Sequence, residues 1–258
     1  MFTCLRSRYF ILTCCFGNIQ IQEFFDLKSS RKVVLNMESV KHIWASYIPE
    51  PFLTLSEGQS SRPILGARPA LIVVDLYHLA FKGGDKPVSE IIQEFPASCG
   101  DKAYGCVQSI NQVIGLFRSK QLPIWFSSKD ISKAQVKGHA TRRPRKQIQP
   151  GDYRISKEID FQPQDSMIKK VRASIFFETH LHQTLKQQGI NSLVIIGEST
   201  SGCVRASVVD AFSLDYSVTV IEDCVFDQNP VSHAVNLYDI HHKYASVCST
   251  SELTRALI

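Results

Sequence analysis

Three side chains in this chain of 258 residues stand where an apolar run gives way to polar sequence, and together they offer an acid, a cation and a nucleophile. Asp75 follows Ala70-Leu71-Ile72-Val73-Val74, Lys170 closes Met167-Ile168-Lys169, and Cys203 ends the turn Gly197-Glu198-Ser199-Thr200-Ser201-Gly202. Small residues let such a turn bend sharply and bring its backbone close to a ligand. A cysteine there falls at or near a helix N-terminus, where unpaired N–H groups and the macrodipole favour anions. An ordinary thiol, with a pKa of about 8.5, is only roughly 3% ionised at pH 7, and a fall of about two units makes it roughly three-quarters thiolate. A lysine ammonium close by pushes the same way, and the N–H groups could hold a developing oxyanion. Taken singly, each residue has a plainer reading: a packed small side chain for Cys203, an N-cap for Asp75, a solvated charge for Lys170. Their joint placement at three strand ends makes an enzyme as good a reading as the plain one, and the residues alone go no further.

The elements that would carry them alternate. Ala70–Val74 has no polar alternation, which suits a parallel strand buried on both faces. Val107, Ile110, Val113, Ile114 and Phe117 repeat at helical spacing over residues 106–119, and Pro123–Ser128 reads as a second buried strand. Met167–Lys170 is a short strand, Phe177–Gln188 a helix closed by Gly189, and Ser192–Gly197 a further buried strand. A helix starts near Cys203 and runs past Phe212; the strand Ser217–Ile221, a helix over Val231–His242, a strand near Ala245–Cys248 and a terminal helix complete the chain. This order predicts an α/β fold of three layers, α/β/α and Rossmann-like, around a mostly parallel six-stranded sheet. Ligands in such sheets bind beyond the carboxyl ends of the strands at the switch point, where the three residues stand.

Composition narrows the classes. A hydrophobic share of 44% with 21% charged residues is that of a globular domain. Of the net charge of +5, residues 129–146 alone carry +6, from seven basic side chains against Asp130, so there is one basic loop and not a basic surface. It lies in the stretch 129–165, which has no sustained period and is longer than a typical αβ connection; such loops are usually functional or mobile. The eight cysteines form no C-x-x-C pair and are read as reduced thiols of a cytoplasmic protein, with Cys99, Cys106, Cys224 and Cys248 as small buried or half-buried side chains. Arg6 and Arg8 precede the apolar stretch Tyr9–Phe16, which is short for a secretory signal and too short to cross a bilayer. Residues 1–36 are taken as an extension, 37–65 as an irregular arm rich in proline, and 66–258 as the folded domain.

Lys170-Val171-Arg172-Ala173-Ser174 with Phe176-Phe177-Glu178-Thr179-His180-Leu181 resembles the lysine motif of the isochorismatase-like cysteine hydrolases, and Ser199-Thr200-Ser201-Gly202-Cys203-Val204-Arg205-Ala206 resembles their nucleophile motif. Val209-Asp210-Ala211 and Glu222-Asp223 continue the pattern. Asn236–Tyr244 is similar to the C-terminal part of N-carbamoylsarcosine amidases, and Ala70–Asp75 to the family's first strand and acid. The resemblance covers about residues 66–255. It implies a triad of Asp75, Lys170 and Cys203. It also implies a cis peptide at Glu198–Ser199 and an oxyanion hole built from the N–H groups of Ser199 and Cys203.

The activity implied is hydrolysis of a small carbamoyl or carboxamide substrate through a thioester, with release of ammonia. Two departures bear on the substrate. Where N-carbamoylsarcosine amidases place an arginine for the substrate carboxylate, this chain has Gln228; Arg172, Arg205 or a residue of the basic loop could supply the charge instead, and Thr200 is a further binding candidate. The D-x-H metal pattern of nicotinamidases is missing, since Leu76, Tyr77 and His78 follow Asp75. No metal or other cofactor is therefore expected, and His78 is read as a packed or capping residue. Relatives commonly assemble as dimers or tetramers, so a homo-oligomer is expected, with no membrane partner. Three competing readings are another hydrolase substrate within the family, a member that has lost catalysis, and binding of an anion such as nucleic acid through residues 129–146. A charge run of that kind is usually a solvated loop.

Overall fold

The computed structural model describes residues 9–16, 19–26, 42–53, 61–133 and 148–257. Chain contacts divide it into two compact units, Met1–Ala45 and Ser46–Ile258. In the first, β1 (Tyr9–Phe16) and β2 (Ile19–Asp26) pair antiparallel with Tyr9 opposite Asp26, so the extension holds regular structure that its sequence did not announce. Most of the basic segment, residues 134–147, lies outside the described residues.

The second unit is built on six strands: β3 (Ala70–Val74), β4 (Ile124–Lys129), β5 (Ser166–Lys170), β6 (Ser192–Glu198), β7 (Ser217–Phe226) and β8 (Ser246–Cys248). They lie in the order β5-β4-β3-β6-β7-β8, and every pairing is parallel, where the sequence had suggested a mostly parallel sheet. All five residues of β3 and all seven of β6 are buried, which is why neither shows polar alternation. Side chains of one face, among them Leu71, Val73, Val194 and Ile196, form one core with helix α1 (Gly100–Ser119) through Ile110, Val113, Ile114 and Phe117. Ile72, Val74, Leu193 and Ile195 point to the other face by strand alternation and are equally buried.

The chain leaves β3 toward β4 and β5, then crosses back to β6 and continues toward β7 and β8. Right-handed crossovers running in opposite directions put helices on opposite faces. On that rule α2 (Leu181–Gln187), α3 (Arg205–Ser213) and α4 (Pro230–Lys243) lie across the sheet from α1. The last helix, α5 (Thr250–Leu257), returns to α1 through Leu253 in the same core. The chain reverses between β3 and β6, and that is the switch point.

Local chemistry sets the boundaries. Asn229 caps α4 by accepting from the N–H groups of Val231 and Ser232, and Pro230 occupies the first turn, where its missing N–H costs nothing. Gly189, at φ +68°, follows α2 as its sequence position suggested. The start of α2 at Leu181 is four residues later than Phe177, because turns occupy the stretch after Lys170. The arm before β3 is irregular yet pinned. Ile64 N–H donates to Thr219 Oγ1 at 2.9 Å, Gly66 N–H to Ser192 Oγ at 2.8 Å, and Ser246 Oγ to the Arg62 carbonyl at 2.7 Å.

Candidate active site

The carboxyl ends of β3, β5 and β6 bring Asp75, Lys170 and Cys203 together. Lys170 Nζ donates to Asp75 Oδ2 at 2.6 Å and to the Arg172 carbonyl at 3.2 Å, with the two charged side chains only 2% and 3% exposed. The Cys203 side chain lies close enough to Asp75 and Lys170 for each to shift its ionisation. The remaining Asp75 oxygen, Oδ1, accepts from the Ser127 hydroxyl at 2.8 Å, and that hydroxyl accepts from the Asp75 N–H at 3.1 Å. Ser127 on β4 thus fixes the carboxylate between its two neighbours. Asp75 itself has φ +53°, a left-handed conformation uncommon for a residue with a side chain. An acid placed just past the strand and turned back on itself is how one residue can leave β3 and still face β6.

The turn that carries Cys203 is shaped with equal closeness. Gly197 has φ +118°, and a Cβ there would lie 2.0 Å from the Val74 carbonyl oxygen, so β6 approaches β3 as only glycine permits. The Glu198–Ser199 peptide is cis. Thr200–Val204 then forms a single π-helical turn leading into α3, so Cys203 sits in the turn before the regular helix. Asp227, just past β7, closes the turn: its Oδ2 accepts from Ser201 N–H at 3.0 Å and Ser201 Oγ at 2.6 Å. Behind it, the buried Thr200 hydroxyl bonds His233 Nδ1 at 2.8 Å, and burial holds that imidazole below its usual pKa, against the opposing pull of Asp227 and Glu222. Ser207 Oγ donates to the Cys203 carbonyl at 2.7 Å and accepts from Ile175 N–H at 3.1 Å, which ties the turn to the segment after Lys170.

Electrostatics correct one expectation. Sequence position suggested a thiol lowered toward ionisation, but burial pushes the Cys203 thiol up, the Asp75 carboxylate adds to this and Glu198 further, against the opposing pull of Lys170. Burial is the main cause, and charge balance adds to it. Asp75 and Lys170 already neutralise one another, and a thiolate would leave a net negative charge in a buried cluster. The ammonium is secure: burial alone would lower Lys170, but the charge and hydrogen bond of Asp75 work against it, and its pKa stands above the ordinary value. The resting group is a neutral thiol beside a carboxylate.

Tyr77, Ser127, Asp227 and His233 were not singled out from sequence. Burial, then Asp75, Glu198 and Cys203, push the Tyr77 hydroxyl well above the usual phenol range, which places a neutral donor beside the cluster. Its ring meets Tyr153 edge to face at 5.3 Å, and Tyr77 bridges to Ile155, so part of the long excursion between β4 and β5 folds back over the site. Tyr77 lies two residues past Asp75 and Asp227 directly follows β7; strand-end position was the available signal for both.

Of the substrate-binding candidates, Thr200 lies in the nucleophile turn and Arg172 is half-buried beside Lys170. The Arg205 guanidinium is held by Asn236 Oδ1 at 2.5 Å and Asp239 Oδ2 at 3.1 Å on α4. The Gln228 amide donates to the carbonyls of Pro96 at 3.0 Å and Ser98 at 2.6 Å, so it pins a loop. His78 is exposed. Among the described residues no group of three or more His, Cys, Asp or Glu side chains is placed to hold a metal ion, and no helix is long and apolar enough to cross a membrane. No disulfide joins Cys106, Cys224 and Cys248; Cys106 is half-buried, and Cys224, Cys248 and Cys99 are buried.

Sheet order, switch point and buried cluster define a class: an α/β protein with a cysteine, a carboxylate and an ammonium gathered at the crevice of a doubly wound parallel sheet. The chain belongs to the isochorismatase family, whose domain model matches residues 69–252. A stretch of 91 residues is 40% identical to maleamate amidohydrolase of Pseudomonas putida, covering 35% of this chain and 43% of that protein. Another, of 77 residues, is 44% identical to the Arabidopsis thaliana protein named "Probable inactive nicotinamidase At3g16190", covering 30% of this chain and 39% of that one. The matches thus span about two-fifths of these curated relatives. Among solved structures, N-carbamoylsarcosine amidase from Thermoplasma acidophilum superposes with a TM-score of 0.54 at 25% identity, over 71% of this chain and 96% of that one.

Proposed function

We propose that this protein is a cysteine-dependent amidohydrolase that cleaves a small carboxamide or carbamoyl compound and releases ammonia. The observation that carries the reading is the 2.6 Å pair of Lys170 and Asp75, buried against the Cys203 thiol. Similarity to maleamate amidohydrolase and to N-carbamoylsarcosine amidase supports the substrate class.

In the proposed cycle Asp75 takes the thiol proton as sulfur attacks the carbonyl carbon, so no free thiolate need accumulate. The oxyanion that forms is held by the N–H groups of Ser199 and Cys203, with Tyr77 as a neutral donor nearby. Asp75, now protonated, gives its proton to the departing nitrogen, and ammonia leaves a thioester on Cys203. A water molecule then enters; Asp75 removes its proton while the oxygen attacks the thioester, and the carboxylic acid departs as the thiol is restored. Lys170 stays protonated throughout and lowers the cost of each negative charge beside it.

An ammonia-release screen over N-carbamoyl amino acids, maleamate, nicotinamide and ureido compounds tests this, with the Cys203→Ala protein as control. At least one amide should be turned over by the parent protein, with a loss on the order of 10³-fold or more in the variant. Equal activity in both would defeat the mechanism.

A further inference from the structure

Beyond the ends of β4 and β5 lies a pocket of about 400 Å³, within the range of about 300–1,000 Å³ typical of small-molecule sites. Lys129, Arg154 and Lys169 contribute three cationic side chains to its lining, with Tyr153 and Asp130 beside them. Three cations against one acid leave the lining net positive, and the Asp130 carboxylate is engaged by its own loop. Asp130 Oδ1 accepts from Ser132 N–H at 3.1 Å, Ser132 Oγ at 2.6 Å and Lys133 N–H at 3.1 Å, and Oδ2 lies 3.8 Å from Lys133 Nζ. A concave surface of net positive charge focuses its field into the cavity and concentrates anions there.

The pocket is tied to the candidate active site. Lys129 is the register partner of Lys170, one strand spacing of about 4.8 Å away. Lys129 is itself buried, with Nζ 5.9 Å from the centre of the Tyr153 ring, and that ring packs on Tyr77, which stands beside the cysteine cluster. Arg205 and Gln228, the cation and amide that the sequence offered for an acidic substrate, are committed elsewhere.

We propose that the pocket of Lys129, Arg154 and Lys169 is a carboxylate-binding subsite that receives the anionic end of the substrate. As a statement about substrate it rests on the amidohydrolase reading; as a binding site it can be tested alone. Arginine supplies a two-pronged donor for a carboxylate, and the lysines supply point charges.

The probe is succinate, an unreactive dicarboxylate, titrated calorimetrically into the parent protein and into Arg154→Gln/Lys169→Gln. Both of these side chains are exposed, so the variant is expected to fold. Binding should weaken about tenfold or more in the double variant, and also with added salt. The kinetic counterpart compares kcat/KM for maleamate with that for neutral nicotinamide, and the ratio should fall about tenfold, mainly through KM. No succinate binding by the parent protein at about 10 mM, or equal affinity in both proteins, would overturn the proposal. Should no amide be hydrolysed while succinate still binds through these side chains, the pocket would stand and the amidohydrolase reading would fall.

Discussion

Replacing one member of the Asp75–Lys170 pair should cost far more stability than replacing both. At 2.6 Å, Coulomb's law with an effective dielectric constant of about 20 gives an attraction of about 6 kcal/mol, most of which offsets the desolvation of two buried charges. Removing one partner keeps the other's desolvation cost and loses the attraction, for a typical penalty of about 3–5 kcal/mol. Asp75→Asn is a clean perturbation, because asparagine tolerates the left-handed φ of +53° and can still bond Ser127. Lys170→Met removes the ammonium at similar length. Each single variant should therefore lose about 3–5 kcal/mol in urea unfolding, or roughly 6–20 °C in Tm for a folded unit of this size. The double variant should recover at least about 2 kcal/mol relative to the sum of the singles. Single losses within about 0.5 kcal/mol of the parent, or strict additivity, would refute the claim that the two groups are charged and paired in the folded protein.

Buried thiols make stability fall in alkali. Burial, with a smaller push from Asp223, raises Cys106 to about 12, and Cys203 and Cys248 are pushed up as well, so the folded chain keeps protons that the unfolded chain releases above about pH 8.5. The stabilisation is thus complete below that pH and is lost as pH rises, at about 1.4 kcal/mol per pH unit for each thiol. Cys106→Ala should flatten the slope by about that amount between pH 9 and pH 12, as read by urea unfolding across the range. Gly197→Ala drives a Cβ to 2.0 Å from the Val74 carbonyl oxygen at a φ of +118°, and should give protein that is insoluble or destabilised by more than about 4 kcal/mol on thermal melting. Asp227→Ala leaves two Ser201 donors without their acceptor, so a stability loss of about 1–3 kcal/mol should accompany a fall in kcat of about tenfold or more. Asp227→Asn, which keeps an acceptor oxygen, should restore most of both.

Strands β3 and β6 were legible in the sequence because parallel strands covered on both faces have apolar runs, Ala70–Val74 and Leu193–Ile196, with no polar residue inside them. Asp75, Lys170 and Cys203 were legible because strand-end position and the two motifs coincided. The partners that hold them were not. Ser127 reads as one more residue of a buried strand, and its contact with Asp75 joins positions 52 residues apart. Asp227 and His233 reach the nucleophile turn from β7 and α4 and leave no local pattern. β7 runs on to Phe226, five residues past the apolar run Ser217–Ile221, since Glu222 and Asp223 sit on the strand while half-buried. The protonation of the thiol was misjudged for a related reason. A helix start and a lysine can be read from sequence, whereas the depth of burial and the charge balance with Asp75 belong to the assembled sheet.

A covalent intermediate on one sulfur is the most direct test. Turnover of an accepted amide is quenched in acid within milliseconds to seconds, and the intact protein and its peptides are weighed. The mechanism predicts an acyl adduct equal in mass to the substrate less ammonia, confined to the peptide containing Cys203, released by hydroxylamine and missing from Cys203→Ala. Turnover with no such adduct, even under conditions that slow deacylation, or an adduct on another residue, would contradict it.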